Sequence, residues 1–257
     1  MARARAVLVT GSAGRLGRAV SAELLARGHR VRGFDRVASP GLPEAMEGDL
    51  ARPADLARAV AGVETLIHLA ATPDEDDFLT KLLPGNIVGL YHTLEQARQS
   101  SVTRVVLAST GQLFRGHPGP FPITPETPTS PRTWYAATKA LAEAAAQVYA
   151  YVHGLEVLVI RCGWCPRSPE QARELEQSSH GKASYLSPRD AGRCFAAAVE
   201  VERVPRFAVV HATSRPVGLP RYDLGPIQAL LGYEPRDRWP EGLELAVDGG
   251  ATGESTP

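Results

Sequence analysis

Three glycines near the start of the chain constrain its fold more than any other feature. Gly11, Gly14 and Gly17 are spaced three residues apart in the stretch VLVTGSAGRLGRAV, between an apolar run and a helix-like run. In such a turn the first glycine permits the tight bend, the second lets a pyrophosphate approach the backbone, and the third lets the helix pack against the strand. The spacing therefore predicts a strand–turn–helix unit whose helix N-terminus binds the phosphates of a dinucleotide.

Short apolar runs alternate along the chain with longer helix-like stretches. Six runs are nearly continuous in apolar residues, as strands buried on both faces should be: 6–10, 30–34, 63–70, 103–110, 155–162 and 206–213. Helical periodicity is found in 16–27, 54–60, 86–99, 135–153 and 188–199. This alternation predicts an α/β fold with a parallel sheet and helices on both faces.

The length of the chain, its polar tail and one helix-start signal predict its organisation. At 257 residues the chain fits one α/β domain. We expect this domain over 1–245, with substrate-binding elements in 163–187 and 213–245, and a disordered tail over 246–257, where the residues are small and polar. The start of the helix at 188–199 is predicted to be capped by Ser187, with Asp190 reaching back.

The charge balance and the apolar runs exclude several kinds of partner. Lys and Arg number 28, as do Asp and Glu, so the chain has no electrostatic footprint for nucleic acid or for an anionic membrane. No apolar run approaches the roughly 18 residues of a spanning helix, and the apolar stretch at the start is too short for a signal peptide. We therefore expect a cytoplasmic protein whose partner is a small-molecule substrate.

The three cysteines do not predict a disulfide framework or a metal site. An odd, low count argues against disulfides, and a zinc site would need a second ligand pair that Cys194 alone does not supply. The spacing of Cys162 and Cys165 resembles a redox C-x-x-C motif, which usually opens a helix. Two prolines follow within four residues and predict a loop instead, so we interpret the pair as the end of a strand. A thiol redox protein remains an alternative.

Two carboxylates follow predicted strands on the cofactor side of the fold. Asp35 comes 24 residues after Gly11, where a carboxylate can accept hydrogen bonds from both ribose hydroxyls of NAD and would repel the 2′-phosphate of NADP. Asp49 falls where a third short strand would end, and it could bind the adenine amino group. The predicted cofactor is NAD, while NADP stays open because three arginines lie nearby in the sequence: Arg15, Arg32 and Arg36.

Three further residues have the chemistry of a proton-transfer site. Tyr135 and Lys139 are four residues apart on a predicted helix and therefore share one face. An ammonium group beside a phenol favours the phenolate, so the tyrosine can exchange a proton near neutral pH. Thr110 ends a predicted strand and can offer its hydroxyl to the same substrate oxygen. Together, after a dinucleotide turn, these residues predict a catalytic site.

The glycine turn and the Tyr135-x-x-x-Lys139 motif resemble those of extended short-chain dehydrogenases/reductases, the NAD-dependent epimerase/dehydratase family, over residues 5 to about 235. The resemblance implies a Rossmann fold, a doubly wound parallel sheet with a small C-terminal substrate-binding part, and oxidation or reduction by hydride transfer. It implies Tyr135 as general base and Lys139 as the group that lowers its pKa and binds the nicotinamide ribose. Thr110 would orient the substrate, and Asn86 would help to hold the site.

The cofactor contacts that the resemblance and the glycine turn imply extend over several strand ends. They are Gly11, Ala13, Gly14, Arg15, Leu16, Gly17, Asp35, Asp49, Leu50, Leu69, Ala70, Ala71, Tyr135, Lys139 and Cys162.

Within the family, the segments 66–69, 86–91 and 185–190 resemble the uronate dehydrogenase branch, which oxidises C1 of a sugar acid to a lactone with NAD. That resemblance implies Arg173 as the arginine that binds the substrate carboxylate. Three polar positions of the branch are occupied here by Pro73, Gly111 and Trp164, which cannot supply the same side-chain bonds. We therefore expect an altered pocket with Gly111 and Trp164 in its wall, a smaller or more apolar substrate, and weak or absent turnover of glucuronate and galacturonate.

Several alternatives remain open at this point. A nucleotide-sugar epimerase would carry a larger C-terminal lobe than the 95 residues that follow Cys162. A sugar dehydratase would need acidic residues directly after Thr110. An NAD(P)-sensing binding protein would keep the glycine turn without chemistry, although such proteins typically lose the tyrosine found here at Tyr135. The family also predicts a homodimer through the helices at 86–99 and 135–153.

Overall fold

The computed structural model describes residues 3–119 and 121–243, and these form a single parallel sheet with helices on both faces. The predicted tail at 246–257 lies outside the described residues. The strands are β1 Ala6–Thr10, β2 Arg30–Asp35, β3 Glu44–Glu47, β4 Thr65–His68, β5 Arg104–Thr110, β6 Glu156–Cys162 and β7 Phe207–Ala212. Their order is β3-β2-β1-β4-β5-β6-β7, and every pair is parallel. The order reverses between β1 and β4, which is where open α/β sheets bind ligands.

The helices divide into two layers with separate apolar cores. On one face lie α1 Arg15–Ala26, α7 Pro188–Glu200 and α8 Gly225–Leu231, and on the other lie α2 Pro53–Val60, α3 Gly89–Arg98 and α4 Trp134–Tyr151. A π-helical segment, Phe78–Val88, leads into α3, and a 3₁₀ turn, Gly111–Phe114, follows β5. The short helices α5 Pro169–Gln177 and α6 Gly181–Ser184 connect β6 to α7. No helix within 3–119 or 121–243 has both the length and the apolar character that crossing a membrane requires.

The predicted fold class is confirmed. The six predicted strands and five predicted helices are present with bounds that differ by a few residues, and β3 lies where the third short strand before Asp49 was expected. The short helices α5, α6 and α8 were not predicted; in α5 the sequence PEQARELEQ lacks an apolar stripe, and only Leu175 is buried. The π-helical segment contains Pro84, whose missing N–H and ring are incompatible with a regular α-helical ladder.

The residues that follow β7, 213–243, form a C-terminal segment that is fastened to α7 by a buried carboxylate. Ser187 caps α7 as predicted, since its Oγ accepts a hydrogen bond from the backbone N–H of Asp190 at 2.9 Å. The prediction that Asp190 reaches back is wrong: its carboxylate accepts from the Ser214 hydroxyl (2.7 Å) and from the backbone N–H groups of Arg236 (2.9 Å) and Asp237 (3.0 Å). Asp190 is fully buried, so its carboxylate needs hydrogen-bond donors, and the C-terminal segment supplies them. These bonds hold that segment against α7.

Candidate active site

A cavity of about 980 Å³ lies at the carboxyl ends of the strands. Its lining runs from the glycine turn across the ends of β5 and β6 to α5, α6 and the C-terminal segment. The predicted residues that line it are Gly11, Gly14, Arg15, Leu16, Gly17, Leu69, Ala71, Thr110, Gly111, Tyr135, Lys139, Cys162 and Trp164. The predicted residues outside the lining are Ala13, Asp35, Asp49, Leu50, Ala70, Asn86 and Arg173.

The three glycines of the turn have different surroundings. Gly11 has a φ of 73°, and a Cβ added to it would lie 2.7 Å from the backbone nitrogen of Ala70. A Cβ at Gly17 would overlap the carbonyl oxygen of Gly11. At Gly14 a Cβ would meet, among the described atoms within 4 Å, only that same oxygen, at 3.1 Å. Gly11 and Gly17 therefore allow close backbone packing, and Gly14 leaves its backbone open toward the cavity, as a bound pyrophosphate requires.

A partly buried cation lies beside this opening. Arg15 lines the cavity, and its Nε and Nη2 atoms are buried without a hydrogen-bond partner in the described part of the chain. Unpartnered buried donors are costly, especially on a charged group. An anionic phosphate at the N-terminus of α1 would satisfy them, so the residues present here fit a dinucleotide.

Asp35 ends β2 and is oriented by the glycine turn itself. Its carboxylate accepts hydrogen bonds from the backbone N–H groups of Ala13 (3.0 Å) and Arg36 (2.7 Å). This position is the one from which a carboxylate would bind the ribose of NAD. Arg32 points elsewhere, because its Nη1 donates to two carbonyl oxygens at the end of α2, at 2.8 and 2.9 Å.

The other predicted residues of the adenosine side have local structural contacts. Asp49 lies two residues beyond β3, and its carboxylate accepts from the backbone N–H of Ala51 at 2.9 Å. It lines a separate cavity of about 400 Å³. Leu50 accepts a hydrogen bond from the His92 ring through its carbonyl at 2.9 Å. The adenine contact of Asp49 and the cofactor contact of Leu50 stay predictions.

Thr110, Tyr135 and Lys139 come together where β5 ends and α4 begins. The Thr110 hydroxyl acts on the Tyr135 phenol and lowers its pKa. The Lys139 ammonium lies 6.0 Å from the centroid of the Tyr135 ring and donates to the carbonyl oxygen of Ala108 at 3.0 Å. All three side chains are buried and all line the cavity. The fold thus assembles the trio that the sequence predicted.

The start of α4 is fixed by a carboxylate from a distant loop. Glu75, in the loop after β4, accepts hydrogen bonds from the backbone N–H groups of Trp134 (3.1 Å) and Tyr135 (2.9 Å). Thr133 accepts from the N–H of Ala136 at 3.1 Å. These bonds satisfy donors that have no partner within the helix, and the negative charge suits the helix N-terminus. Sequence reasoning missed Glu75 because 60 residues separate it from the helix that it caps.

Asn86 connects the same loop to α4. Its carboxamide accepts from the N–H of Thr72 (2.7 Å) and donates to the Thr72 carbonyl (3.1 Å) and to the Thr138 hydroxyl (3.2 Å). The side chain is buried but does not line the cavity. This geometry makes it a positioning residue and fits the predicted role of holding the site.

Burial controls the proton affinities of the central pair. Burial raises the pKa of Tyr135 well above its usual range, the charge of Asp74 adds to the rise, and the hydrogen bond with Thr110 opposes it. Burial lowers the pKa of Lys139 to about 8. The pKa of Tyr135 is raised overall, because the loss of solvent outweighs the neighbouring groups that favour the phenolate. The lowering of this pKa by Lys139 stays a prediction.

Asp74 joins three parts of the cavity wall, and sequence reasoning did not find it. One carboxylate oxygen accepts from the Gln112 side chain at 3.0 Å. The other accepts from the Gln171 side chain at 3.0 Å and pairs with the Arg167 guanidinium. Asp74 has a φ of 60°, the only positive φ of a residue other than glycine in the described part of the chain. Strained backbone of this kind is characteristic of functional sites.

Arg173 does not reach the cavity, contrary to the predicted carboxylate contact. Its side chain is exposed and pairs with Glu170 at 2.8 Å. Its neighbours Arg167, Gln171 and Glu174 line the cavity instead. Positions 171 and 174 share one face of α5, so Arg173, two residues after Gln171, points to another side.

The cysteine pair lies at the cavity but lacks the properties of a redox dithiol. Cys162 ends β6, and Cys165 is in the loop before α5. Burial raises the pKa of Cys162 to about 12 and also raises the pKa of Cys165, against the effect of the nearby Arg15 charge. Redox-active thiols have lowered pKa values, so the raised pKa values of Cys162 and Cys165 argue against the thiol alternative. In the described residues no cluster of three or more His, Cys, Asp or Glu is placed to hold a metal ion.

Comparison with known proteins decides the family. The family model of the NAD dependent epimerase/dehydratase family matches residues 7–165. The chain belongs to this family. The L-arabinose 1-dehydrogenase (NAD(P)(+)) of Haloferax volcanii is 30% identical over 248 residues, which are 90% of this chain and 96% of that relative. The uronate dehydrogenase of Agrobacterium fabrum is 32% identical over 172 residues, 66% of this chain but only 64% of that relative's length.

A solved structure gives the same assignment and includes the cofactor. It is a variant of uronate dehydrogenase from Agrobacterium tumefaciens complexed with NAD, which is 26% identical and has a TM-score of 0.77 over 91% of this chain and 86% of that chain. This family member is therefore an NAD-dependent oxidoreductase of the extended short-chain type with a Rossmann fold. The epimerase alternative is less well supported, because two relatives that match over more than nine-tenths of their own length are dehydrogenases.

The glycine geometry predicts a difference between two alanine variants. In Gly17→Ala the new methyl group displaces the turn. The overpacking should lower the free energy of unfolding by about 1–3 kcal/mol and the thermal midpoint by several degrees. The displaced turn should also abolish NAD binding. Gly14→Ala is the matched control: it should keep the midpoint of the protein alone but weaken NAD binding, since its methyl group projects into the opening. Thermal unfolding with and without NAD measures both. A Gly17→Ala variant with a normal midpoint and a normal shift by NAD would contradict this interpretation.

The lowered pKa of Lys139 predicts that NAD binding depends on pH. Below about 8 the side chain is an ammonium that can donate to the nicotinamide ribose, and above about 8 it becomes neutral. The Kd for NAD should therefore rise by about tenfold as the pH increases through this range, since a charge-assisted hydrogen bond is lost. Titration calorimetry from pH 6.5 to 9.5 measures this, with Lys139→Gln as a weakly binding, pH-independent control. A flat profile in the unmodified protein would exclude this role.

Proposed function

We propose that this protein is an NAD-dependent dehydrogenase that oxidises the C1 hydroxyl of a small, uncharged sugar to a lactone. The observation that carries the proposal is the charge around Tyr135. The charged side chains that act on its pKa are Asp74 and Arg167, and these two are paired with each other. A sugar acid needs a cation to bind its carboxylate, and the guanidinium that acts on Tyr135 is already paired with Asp74.

The departures from the uronate dehydrogenase branch support an uncharged substrate. Pro73, Gly111 and Trp164 line the cavity and supply no side chains like the polar ones of that branch. Arg173, the expected carboxylate ligand, is outside the cavity. A relative that is 30% identical and matches over 96% of its own length is named for L-arabinose, an uncharged sugar.

The residues of the trio have distinct roles in this proposal. Tyr135 accepts the proton of the substrate hydroxyl, and Thr110, which lines the cavity with it, orients the same oxygen. Lys139 holds the nicotinamide ribose. Bound oxidised NAD supplies a hydride acceptor and a positive charge that favours the phenolate. Glu75 and Asn86 keep the phenol in place by fixing α4 to the loop after β4.

The substrate-binding part of the single domain at 1–245 consists of the segments 163–187 and 213–245. In support of this assignment, both segments contribute to the cavity lining. From the first come Gly163, Trp164, Cys165, Arg167, Gln171, Glu174, Ser178, His180, Gly181 and Ser184, and from the second come Arg221 and Tyr222.

The proposal includes a cytoplasmic homodimer formed through α3 and α4. Large apolar side chains are exposed on these two helices: Tyr91 is 58%, Leu141 46%, Val148 50% and Tyr151 67% exposed. Leu141 and Val148 are seven residues apart and therefore share one face of α4. Exposed apolar surface of this kind marks an interaction site.

Replacing Leu141 and Val148 by Glu should convert the dimer to a monomer, because two charges would then lie in an apolar interface. Sedimentation velocity at micromolar concentration measures the change, and far-UV circular dichroism checks that the variant is folded. An unmodified protein that sediments as a monomer would refute the dimer.

The substrate proposal predicts the ranking of a sugar panel. Uncharged pentoses and hexoses should be oxidised with a kcat/KM at least about a hundredfold higher than glucuronate or galacturonate, as unpaired charge in a pocket is strongly discriminated. NADH absorbance measures the rates. Asp74→Asn should reduce the ratio of kcat/KM between uncharged sugars and sugar acids, because it releases Arg167. Tyr135→Phe should abolish turnover while sparing NAD binding. Oxidation of glucuronate as fast as the best uncharged sugar would overturn the proposal.

A further inference from the structure

Tyr222 reaches the cavity from the C-terminal segment and lies against Gly111. Its hydroxyl donates to the Gly111 carbonyl at 3.2 Å. A Cβ added at Gly111 would lie 2.9 Å from the Cζ atom of Tyr222 and closer still to its hydroxyl oxygen. Both residues line the cavity. The phenol therefore occupies the space that a side chain at position 111 would need.

The position of this phenol is fixed by its surroundings. The backbone on either side of Tyr222 exchanges hydrogen bonds with Ile123, at 2.8 and 2.9 Å. Its ring stacks on His211 with centroids 4.9 Å apart and meets the edge of Phe114 at 6.3 Å. The Arg221 guanidinium lies over the ring, with its Cζ atom 5.8 Å from the centroid. A polar group held in this way is preorganised for recognition.

His211 contributes to this arrangement as a neutral aromatic ring. Neither ring nitrogen has a hydrogen-bond partner within the described residues. Burial lowers the pKa of His211 to about 3, and the charge of Arg161 adds to this effect. The ring therefore stays neutral in the physiological range, and it supports Tyr222 by stacking.

The location of the pair relative to the reacting atoms indicates what it does. Gly111 directly follows Thr110, whose side chain acts on the Tyr135 hydroxyl, and all three residues line one cavity. In the proposed complex, a sugar whose C1 oxygen binds Thr110 and Tyr135 would direct its neighbouring atoms toward Gly111. Position 111 has no side chain to bind them, and the Tyr222 hydroxyl is the polar group that stands there instead.

We infer that Tyr222 is a specificity-determining residue whose hydroxyl binds the substrate hydroxyl next to the reacting carbon and whose ring limits substrate size. This inference rests on the proposed sugar substrate and deepens it. The recognised chemistry is a hydroxyl on C2 of an uncharged aldose. Gly111 is the complementary member of the pair, because any larger residue would displace the phenol.

The hydrogen bond is tested by Tyr222→Phe, which keeps the ring and its stacking. For the best aldose, kcat/KM should fall about tenfold. For the 2-deoxy analogue of that aldose, which lacks the partner hydroxyl, it should change by less than about threefold. The Kd for NAD should be unchanged. Equal losses on both sugars would overturn the inference.

The space-filling role is tested by a double-mutant cycle of thermal midpoints, a thermal cycle that needs no substrate. Gly111→Ala should lower the thermal midpoint in the unmodified background, because the new methyl group meets the phenol. In the Tyr222→Leu background, which lacks the Oη and Cζ atoms, the same change should have little effect, so the two substitutions should be non-additive. Additive shifts would show that the phenol does not occupy this space and would overturn the assignment.

The two tests separate this inference from the proposed function. If the unmodified protein oxidises no aldose, the proposed substrate is wrong, and the contact inferred for it fails as well, whereas the thermal cycle still decides whether Tyr222 fills the position. If aldoses are oxidised but Tyr222→Phe affects both sugars equally, the inference about Tyr222 fails and the proposed function stands.

Discussion

The close approach of three backbone segments at the first turn is the constraint on which the rest of the structure depends. Gly17 in α1 packs on the carbonyl of Gly11, and Gly11 in turn packs on Ala70 after β4. This contact aligns the N-terminus of α1 with the point where the strand order reverses. The direction of the helix, the orientation of Asp35 and the opening beside Gly14 all follow from it. A crevice that accepts a dinucleotide is thus a consequence of backbone packing before any side chain contributes.

The chemistry of the site depends on desolvation as much as on the identity of its residues. Tyr135 and Lys139 are both buried, and burial shifts each pKa in the direction that disfavours charge. The carboxylate of Asp74 acts in the same direction on the phenol. In the proposed mechanism a positive charge brought by the cofactor would complete the site and would couple proton removal to the presence of the oxidant.

Sequence patterns predicted the features that local spacing encodes. The glycine turn and the four-residue step from Tyr135 to Lys139 lie within single turns or helices, and the fold class follows from their alternation with strands. Glu75 and Tyr222 were not predicted because their partners are 60 and 111 residues away in the chain. Arg173 was misplaced because α5 has only one buried residue, so its sequence does not show which side faces the protein.

The short loop after β4 has two separate structural roles, which Glu75 and its neighbour Asp74 provide. One residue caps the helix that carries Tyr135, and the adjacent one joins three parts of the cavity wall. Insertions or deletions in this loop would disturb catalysis and selectivity at once. During divergence of the family, new substrate ranges should therefore arise more readily through the segments around 163–187 and 213–245, while the loop after β4 keeps its length. The arrangement restricts which evolutionary routes remain open to descendants of this chain.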